Sequence, residues 1–284
     1  MRFKIFREFG SLNSPPVFDA FEQGLKNIGH EVVTTNEDVG VIWSVLWNGR
    51  MMRNQSIYNE YRSKNKPIII IEVGNLLRNK TWRVCLNHIN GEGLFGNNND
   101  LDVNRPSKLN VRLQHIKNHR RPEILIATQH NRSLQWEGMP PMSSWVDNIL
   151  EKIRAFSDRK VIVRPHPRSP LRLNKSDPSV TLQVPAKVAG SYDDFDINYG
   201  YHCVINHNSG PPVQAAIHGV PVICHKTSLA YPVSSTYEDI ENIALPDREE
   251  WFLKLTHTEW TVDEIAQGIP LKRIENLIRS QISR

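Results

Sequence analysis

The stretch Val161-Ile162-Val163-Arg164-Pro165-His166-Pro167-Arg168 carries the clearest chemistry in the chain. An apolar strand pattern delivers two arginines and a histidine into a loop stiffened by two prolines. Proline fixes its own φ and restricts the residue before it, so His166 is expected in a nearly preset position. Guanidinium and imidazole groups held this way suit a phosphate or diphosphate. The same residues also read as a buried, hydrogen-bonded histidine flanked by surface arginines. A second stretch ends a strand in Asn206-His207-Asn208-Ser209-Gly210, enters a helix through Pro211-Pro212 and closes at Gly219-Val220-Pro221-Val222. Prolines are tolerated in a first helical turn, whose amides and dipole favour an anion. Ser209 adds a donor there and Gly210 permits close approach. An ordinary strand–helix–strand turn has the same pattern.

Two other patterns read more simply as structure. Asp194-Phe195-Asp196 has the Asp-x-Asp form that can hold a metal–diphosphate, yet with Ser191 and Asp193 it reads as the cap of a short helix. His202, Cys203, His207, His218, Cys224 and His225 lack the paired spacing of a zinc site. No metal is assigned.

Ligands of open α/β sheets lie beyond the carboxyl ends of the strands, so the flanking elements decide whether these residues converge. Strand patterns cover 2–9, 30–35, 39–46 and 67–73, with helical spacing through Phe18, Phe21, Leu25 and Ile28, and again over 57–64. The run Ile68-Ile69-Ile70-Ile71 is continuously apolar, as expected of a strand covered on both faces. Residues 96–122 interrupt the rhythm with Gly, Asn, Pro and charges. A second series follows: strands at 123–128, 160–164, 180–184, 202–206 and 220–224, helices at 143–156 and 213–218, then helical patterns at 247–255 and 271–282. Strands alternating with helices imply mostly parallel, doubly wound sheets. The expected architecture is α/β, with two Rossmann-like lobes (residues 1–121 and 122–284) and a substrate cleft between them.

The 284 residues are 39% hydrophobic and 23% charged, the composition of a globular chain and not of a disordered one. No run approaches the roughly 18 apolar residues of a membrane span. Met1-Arg2-Phe3-Lys4-Ile5 enters a strand pattern directly, and three scattered cysteines argue against a disulfide framework. A cytoplasmic setting is therefore expected. The net charge of +5 is unevenly spread. Arg105, Lys108, Arg112, Lys117, Arg120, Arg121 and Arg132 face only Asp102 and Glu123 between 101 and 135, whereas 236–270 holds nine carboxylates against Arg248 and Lys254. Such a field steers an anionic partner to one face; a solvated basic loop is the plainer reading.

The Arg-Pro-His-Pro loop, Asn208-Ser209-Gly210 with its helix, and Gly219-Val220-Pro221-Val222 together resemble the donor lobe of GT-B glycosyltransferases of the capsular-polysaccharide type. The stretch from Trp260 to Gly268 is similar to that group's terminal segment. Asn13-Ser14-Pro15-Pro16-Val17-Phe18, then Ile71-Glu72-Val73-Gly74 with Arg78, Thr81-Trp82-Arg83 and Asn87, resemble compact phage glycosyltransferases. The resemblance implies transfer of a sugar from a nucleotide-sugar, a UDP-sugar by preference, with no obligatory metal and no cofactor beyond that co-substrate. It implies that Arg164, His166, Arg168, Asn208, Ser209, Gly210 and Gln214 bind the donor and neutralise the leaving diphosphate. Glu72 becomes the preferred general base, with Glu92 and Asp100 in reserve; pairing of Glu72 with Arg78 or Arg83 is its structural alternative. Ser11, Asn13, Ser14, Arg78 and Trp82 would line the acceptor side. The implied acceptor is 5-hydroxymethylcytosine in duplex DNA, its phosphates met by Arg105, Lys108, Arg112, Lys117, Arg120 and Arg121 and its base flipped into the cleft, with Trp43, Trp47, Trp82 and Trp136 as possible stacking surfaces. A capsule or lipopolysaccharide acceptor, and a non-catalytic nucleotide- or nucleic-acid-binding protein on the same scaffold, are the alternatives. Inversion and retention both stay open.

Overall fold

The computed structural model describes residues 1–187 and 199–283, so the Asp194-Phe195-Asp196 pattern lies outside the described residues. The chain opens with β1 (Arg2–Ile5), α1 (Pro15–Asn27), the short β2 (Glu31–Val32), β3 (Val39–Trp43), α2 (Arg53–Ser63), β4 (Ile68–Val73) and β5 (Trp82–Leu86). A single turn, α3 (Arg105–Lys108), precedes β6 (Ile124–Ala127), α4 (Met142–Arg154), β7 (Val161–Arg164), β8 (Val180–Leu182), β9 (Cys203–Asn206), α5 (Gly210–Ile217) and β10 (Val222–Cys224). The tail forms α6 (Glu249–Thr256), β11 (Glu259–Trp260), α7 (Val262–Ala266) and α8 (Ile269–Ile282). Among the described residues no helix is long and apolar enough to cross a membrane.

The chain divides into two compact α/β units, each with its own sheet. The first comprises residues 1–111, 132–134 and 253–284; the second comprises 112–131 and 135–252. In the first unit the sheet order is β11-β5-β4-β3-β1-β2. The run from β2 through β1 and β3 to β4 is parallel, whereas β5 lies antiparallel to β4 and β11 antiparallel to β5. The isoleucines of β4 serve two cores. Ile69 and Ile71 pack with Phe18, Phe21 and Trp43, while Ile68 and Ile70 pack with Phe6, Tyr58 and Tyr61. Burial on both faces is why the strand shows no polar alternation. Helix α1 buries Val17, Phe18, Phe21 and Leu25 at helical spacing, starts on two prolines and stops where Gly29 takes φ +78°.

The second unit's sheet, β10-β9-β6-β7-β8, is parallel throughout. Trp145, Val146, Ile149 and Ile153 of α4 pack with Ile124, Ile126, Val161 and Val163. From β6 the chain first winds to β7 and β8, then returns to add β9 and β10 on the other side. That reversal opens a crevice between the carboxyl ends of β6 and β9, the place where sheets of this kind bind ligands.

The doubly wound α/β class holds in both units, but the division at 121/122 is displaced. The tail from Leu253 onward belongs to the first unit, because Trp260, Ile265, Leu271, Ile274 and Ile278 complete the core around Phe18 and Val84. Residues 112–121 belong to the second, tied by Gln114 N–H to Ile217 O, Lys117 N–H to Gly219 O and Arg121 N–H to Gly200 O. The strand pattern at 2–9 ends at Ile5 in a 3-10 turn, and that at 30–35 pairs only through Glu31 and Val32.

Candidate functional site

In the second unit the loops after β6, β7 and β9 meet at the crevice. Asn206 ends β9 with its amide donating to Ala127 O at 2.7 Å, and its side-chain oxygen accepts from Ser209 N–H at 2.8 Å and Ser209 Oγ at 3.2 Å. Asn208 is locked into Gln129, which follows β6. Gln129 Nε2 donates to Asn208 Oδ1 at 3.0 Å, and Asn208 N–H donates to Gln129 Oε1 at 3.1 Å. Asn208 Nδ2 goes to Thr227 Oγ1. Its amide is thereby spent on bracing the two strand ends, so Asn208 acts on a ligand only by positioning Ser209 and Gly210. The helix start is also less of an anion cradle than the sequence implies. Pro211 and Pro212 carry no N–H, and Ser209 N–H is taken by Asn206, which leaves Gly210 with the one N–H among the first three helical positions. Gln214 follows four residues later on the same, half-buried helix face.

The β7 loop sits beside this helix start in the sheet order, one strand further on. Arg164 is buried and donates through Nη2 to Gln183 Oε1 at 3.0 Å and Tyr201 Oη at 3.1 Å, its guanidinium 5.6 Å from the Tyr201 ring. It therefore sets positive potential beneath the loop, held by neighbours of its own unit. His166 is half-exposed. Its N–H donates to Thr128 Oγ1 at 3.0 Å, and its Nδ1 accepts Arg168 N–H at 3.1 Å, which assigns the proton of the neutral ring to Nε2. The His130 ring meets it edge-on at 5.2 Å. Arg168 is exposed on the outer side of the turn that Ser169 N–H closes onto His166 O. Of the histidines of the discounted zinc series, His202 Nε2 lies against Ile240 O and His218 Nδ1 against Gln214 O, while His207 and His225 stack on each other at 4.5 Å.

In the first unit the carboxyl ends of β1, β3 and β4 share one edge of the sheet. Glu72 stands near the end of β4, half-buried. Ser44 Oγ donates to its Oε2 at 2.6 Å and Val73 N–H to its Oε1 at 2.9 Å. Ser44 follows β3 in the left-handed region, φ +62°, and its Oγ also accepts Leu46 N–H at 3.2 Å. Arg83 faces Glu72 across the β4–β5 ladder, but its guanidinium caps Val73 O and Ile89 O. The carboxylate thus takes a serine and a backbone amide where an arginine was the structural alternative. Ser11, Asn13 and Ser14 fold on themselves after β1: Ser11 Oγ donates to Asn13 Oδ1 and Ser14 Oγ to Ser11 O. Ser14 is buried, and a Cβ on Gly10 would meet its Oγ at 2.1 Å. Trp82 lies in the core and Arg78 is exposed on the loop beyond. That loop is anchored by Glu259, a fully buried carboxylate that accepts Asn75 N–H, Leu76 N–H and Thr81 Oγ1. Of the reserve carboxylates, Asp100 pairs with Arg273 at 2.7 Å and Glu92 with His88 at 3.6 Å. Trp43 and Trp47 are core residues, as is Trp136 in the second unit.

The basic stretch divides. Arg105 is buried and bonds Thr256 O, Glu259 O and the Glu264 carboxylate, with its guanidinium 4.0 Å from the Trp260 ring. It is a structural pin and cannot reach a phosphate, which corrects its place among the DNA candidates. Lys108 pairs with Asp102 at 2.6 Å on the surface. Arg112 and Arg121 are exposed, Arg121 stacked 5.3 Å from Tyr201; Lys117 and Arg120 are half-buried, and burial lowers the Arg120 pKa.

No protein-family model and no curated protein sequence matches the chain. Among solved structures, one that it is similar to is KpsC of Thermosulfurimonas dismutans, described as a beta Kdo 2,4 transferase, at 11% identity and a TM-score of 0.48 over 99% of this chain and 98% of that one. The UDP-GlcNAc 2-epimerase of Methanocaldococcus jannaschii aligns at 12% identity and a TM-score of 0.33, covering 98% of this chain and 100% of that one. AviGT4, a glycosyltransferase involved in avilamycin A biosynthesis, aligns at 10% and 0.33, covering 99% and 98%.

Three residues at these edges escape the sequence reading: Ser44, Gln129 and Tyr201. Gln129 follows an apolar strand, so the rule that singled out His166 applies to it equally. Nothing in the sequence around Ser44 marks a left-handed backbone.

Proposed function

We propose that the protein is a glycosyltransferase of the GT-B type that moves a sugar from a nucleotide-sugar, a UDP-sugar by preference, to a hydroxyl acceptor. The observation that supports this reading most is the crevice at the strand-order reversal of the second unit, where the His166 loop follows β7 and the Gly210 amide opens α5. In the reaction the bond from the anomeric carbon to the diphosphate oxygen breaks. The departing diphosphate takes up negative charge, which His166 Nε2–H and Gly210 N–H meet directly and Arg164 offsets from below. No proton transfer to the leaving group is needed, because a diphosphate is stable as an anion. The acceptor oxygen bonds to the anomeric carbon, and in an inverting reaction its proton passes to Glu72, whose two oxygens are held in direction by Ser44 and Val73 N–H.

The acceptor is the finer part of the proposal. 5-Hydroxymethylcytosine in duplex DNA relies on the exposed Arg112 and Arg121, Lys117 and Arg120 beside them, and the paired Lys108, without Arg105. A capsule or lipopolysaccharide hydroxyl needs no such cations. The test incubates the protein with a panel of nucleotide-sugars, first alone and then with hydroxymethylated duplex DNA or an oligosaccharide pool, and reads both products by mass spectrometry. A hexose or pentose on the modified base supports the DNA acceptor, and sugar on the oligosaccharide alone moves the reading to the carbohydrate one. Binding of a nucleotide without turnover in any arm favours a binding protein, and absence of both sinks the enzyme reading. Glu72→Gln is expected to lower turnover by about 10²- to 10⁴-fold with donor affinity retained.

A further inference from the structure

Glu259 is a fully buried carboxylate that the proposed chemistry does not touch, yet it is tied to the sheet edge of the first unit that carries Glu72. In β11 it pairs opposite Arg83 of β5, and Arg83 pairs in turn opposite Glu72 of β4. Directly opposed residues share a sheet face, so Glu72, Arg83 and Glu259 form one row, with Glu259 two strand spacings, about 10 Å, from Glu72. The loop of residues 74–81 joins β4 to β5 and begins just past Glu72. Among the described residues, the polar contacts of the Glu259 carboxylate all go to that loop. Asn75 N–H donates to Oε1, and Leu76 N–H and Thr81 Oγ1 both donate to Oε2 at 2.9 Å. Gly74 completes the fit, since a Cβ there would meet Glu259 Oε2 at 2.3 Å and Thr81 Oγ1 at 2.6 Å.

We propose that Glu259 is a positioning residue for the acceptor: by clamping residues 74–81 it holds the loop beside Glu72 in the arrangement that lets an acceptor hydroxyl reach that carboxylate. The proposal rests on the glycosyltransferase reading and gives a task to a tail residue which that reading leaves idle. The loop does not need the clamp in order to close. Gly74 N–H donates to Thr81 O at 3.0 Å and Thr81 N–H to Leu77 O at 2.9 Å, bonds that a plain hairpin connection also makes. Burying a carboxylate is costly even when its oxygens are satisfied, and an apolar side chain at 259 would fill the space without that cost. What the carboxylate adds is direction. Its two oxygens fix two consecutive amides and a hydroxyl through charge-assisted bonds, which sets the backbone of Asn75 and Leu76 and not only its distance from the sheet. Arg83 does not share the task, because its guanidinium is spent on Val73 O and Ile89 O. Arg78, exposed on the same loop, is carried with it.

The test compares the full chain with Glu259→Gln, Thr81→Val and Thr261→Ala by two readouts. Hydrogen exchange followed by mass spectrometry reports the amides of Asn75 and Leu76. Steady-state kinetics with UDP-hexoses, against hydroxymethylated duplex DNA and against an oligosaccharide pool, reports the KM of donor and acceptor separately. Glutamine keeps the volume of Glu259 but turns one oxygen into a donor, so one of the two amides loses its acceptor. Exchange there should quicken by about tenfold or more, the worth of one bond to a charged group. The acceptor KM should rise by a similar factor with the donor KM unchanged. Thr81→Val removes the hydroxyl alone; it should move both readouts the same way by less, and it decides the matter should Glu259→Gln fail to fold. Thr261→Ala unmakes the capping box of α7 further along the tail, so it should lower stability and leave both readouts where they were. Unchanged exchange in Glu259→Gln, faster exchange with an unmoved acceptor KM, or a donor KM that rises in step overturns the proposal and leaves the enzyme reading standing. An acceptor KM raised by Thr261→Ala does the same. A wild-type chain that transfers sugar to neither acceptor overturns the enzyme reading, and this proposal with it.

Discussion

Ser44 holds two features that rarely occur together: a left-handed backbone on a residue with a Cβ, and a hydroxyl whose proton and lone pair are both used. Oγ accepts Leu46 N–H, so its proton is directed at Glu72. A non-glycine residue with φ +62° costs on the order of 1–3 kcal/mol, retained where the surroundings demand it. Three substitutions separate strain from chemistry. Ser44→Ala keeps the strain and loses the bond, so it should lower both turnover, by about tenfold, and stability, by about 1 kcal/mol. Ser44→Gly relieves the strain and loses the same bond; turnover should fall equally while the urea midpoint holds or rises. Ser44→Thr retains the hydroxyl and should keep most of the turnover, at a cost in stability from its branched Cβ. Equal activity in all three would end the assignment of Ser44 as the positioning residue for Glu72.

At the scale of elements, the pin made by Arg105 joins α3 to α6, β11 and α7 within the first unit. Removing one partner of a buried ion pair typically costs about 3–5 kcal/mol, so Arg105→Ala should lower unfolding free energy by that order in urea titration. Lys108→Ala, three residues away on a surface pair, should cost under about 1 kcal/mol. Under the DNA-acceptor reading, duplex affinity of the folded Arg105→Lys variant should match wild type, because the side chain faces Glu264 and Trp260. Gly219 closes α5 with φ +76°, and a Cβ there would meet His115 O at 2.1 Å. Gly219→Ala is thus expected to destabilise the second unit by more than the roughly 1–2 kcal/mol of the backbone alone, readable as a lower thermal midpoint. Much of this was legible beforehand. Apolar runs and their spacing placed β3, β4, β6, β7, β9, α1 and α4 close to where they lie, and the strand-end rule placed His166 and Ser209 together with Glu72 on carboxyl edges. Two-residue β11 was not legible, because its pairing joins a tail segment to β5 from far away in sequence, and β5 escaped because Trp82-Arg83-Val84-Cys85-Leu86 is a short run whose antiparallel pairing with β4 breaks the parallel rhythm. Arg105 read as a surface cation because one residue type serves phosphate contact and buried pinning alike; only its carbonyl and carboxylate partners distinguish the two.

Across the whole molecule, buried histidines make acidification destabilising in both units. His30, His88 and His257 in the first unit and His202 and His207 in the second are all held below 6.5, with burial the largest cause in each. Below that value the unfolded chain binds protons that the folded chain refuses, so folding stability falls as pH drops, and for His207 the loss is complete only below about 4. Lowered carboxylates extend the trend to more acid pH. Lys26 and Arg7 hold Glu22 below its usual 4.5, and the Ser157 hydroxyl does so for Glu241, so each loses its contribution as it is protonated. Glu259 opposes them: burial raises its pKa, the folded state takes the proton first, and its contribution grows as pH falls. Five histidines against one carboxylate decide the sign between neutrality and pH 4. The urea midpoint should therefore decline steadily over that interval, accompanied by net proton uptake on unfolding. His207→Gln should flatten the decline without changing the midpoint at neutral pH by as much, since it removes one proton from the unfolded side of the balance. A midpoint that stays level to pH 4 in the wild-type chain would mean that these rings reach solvent and protonate in place.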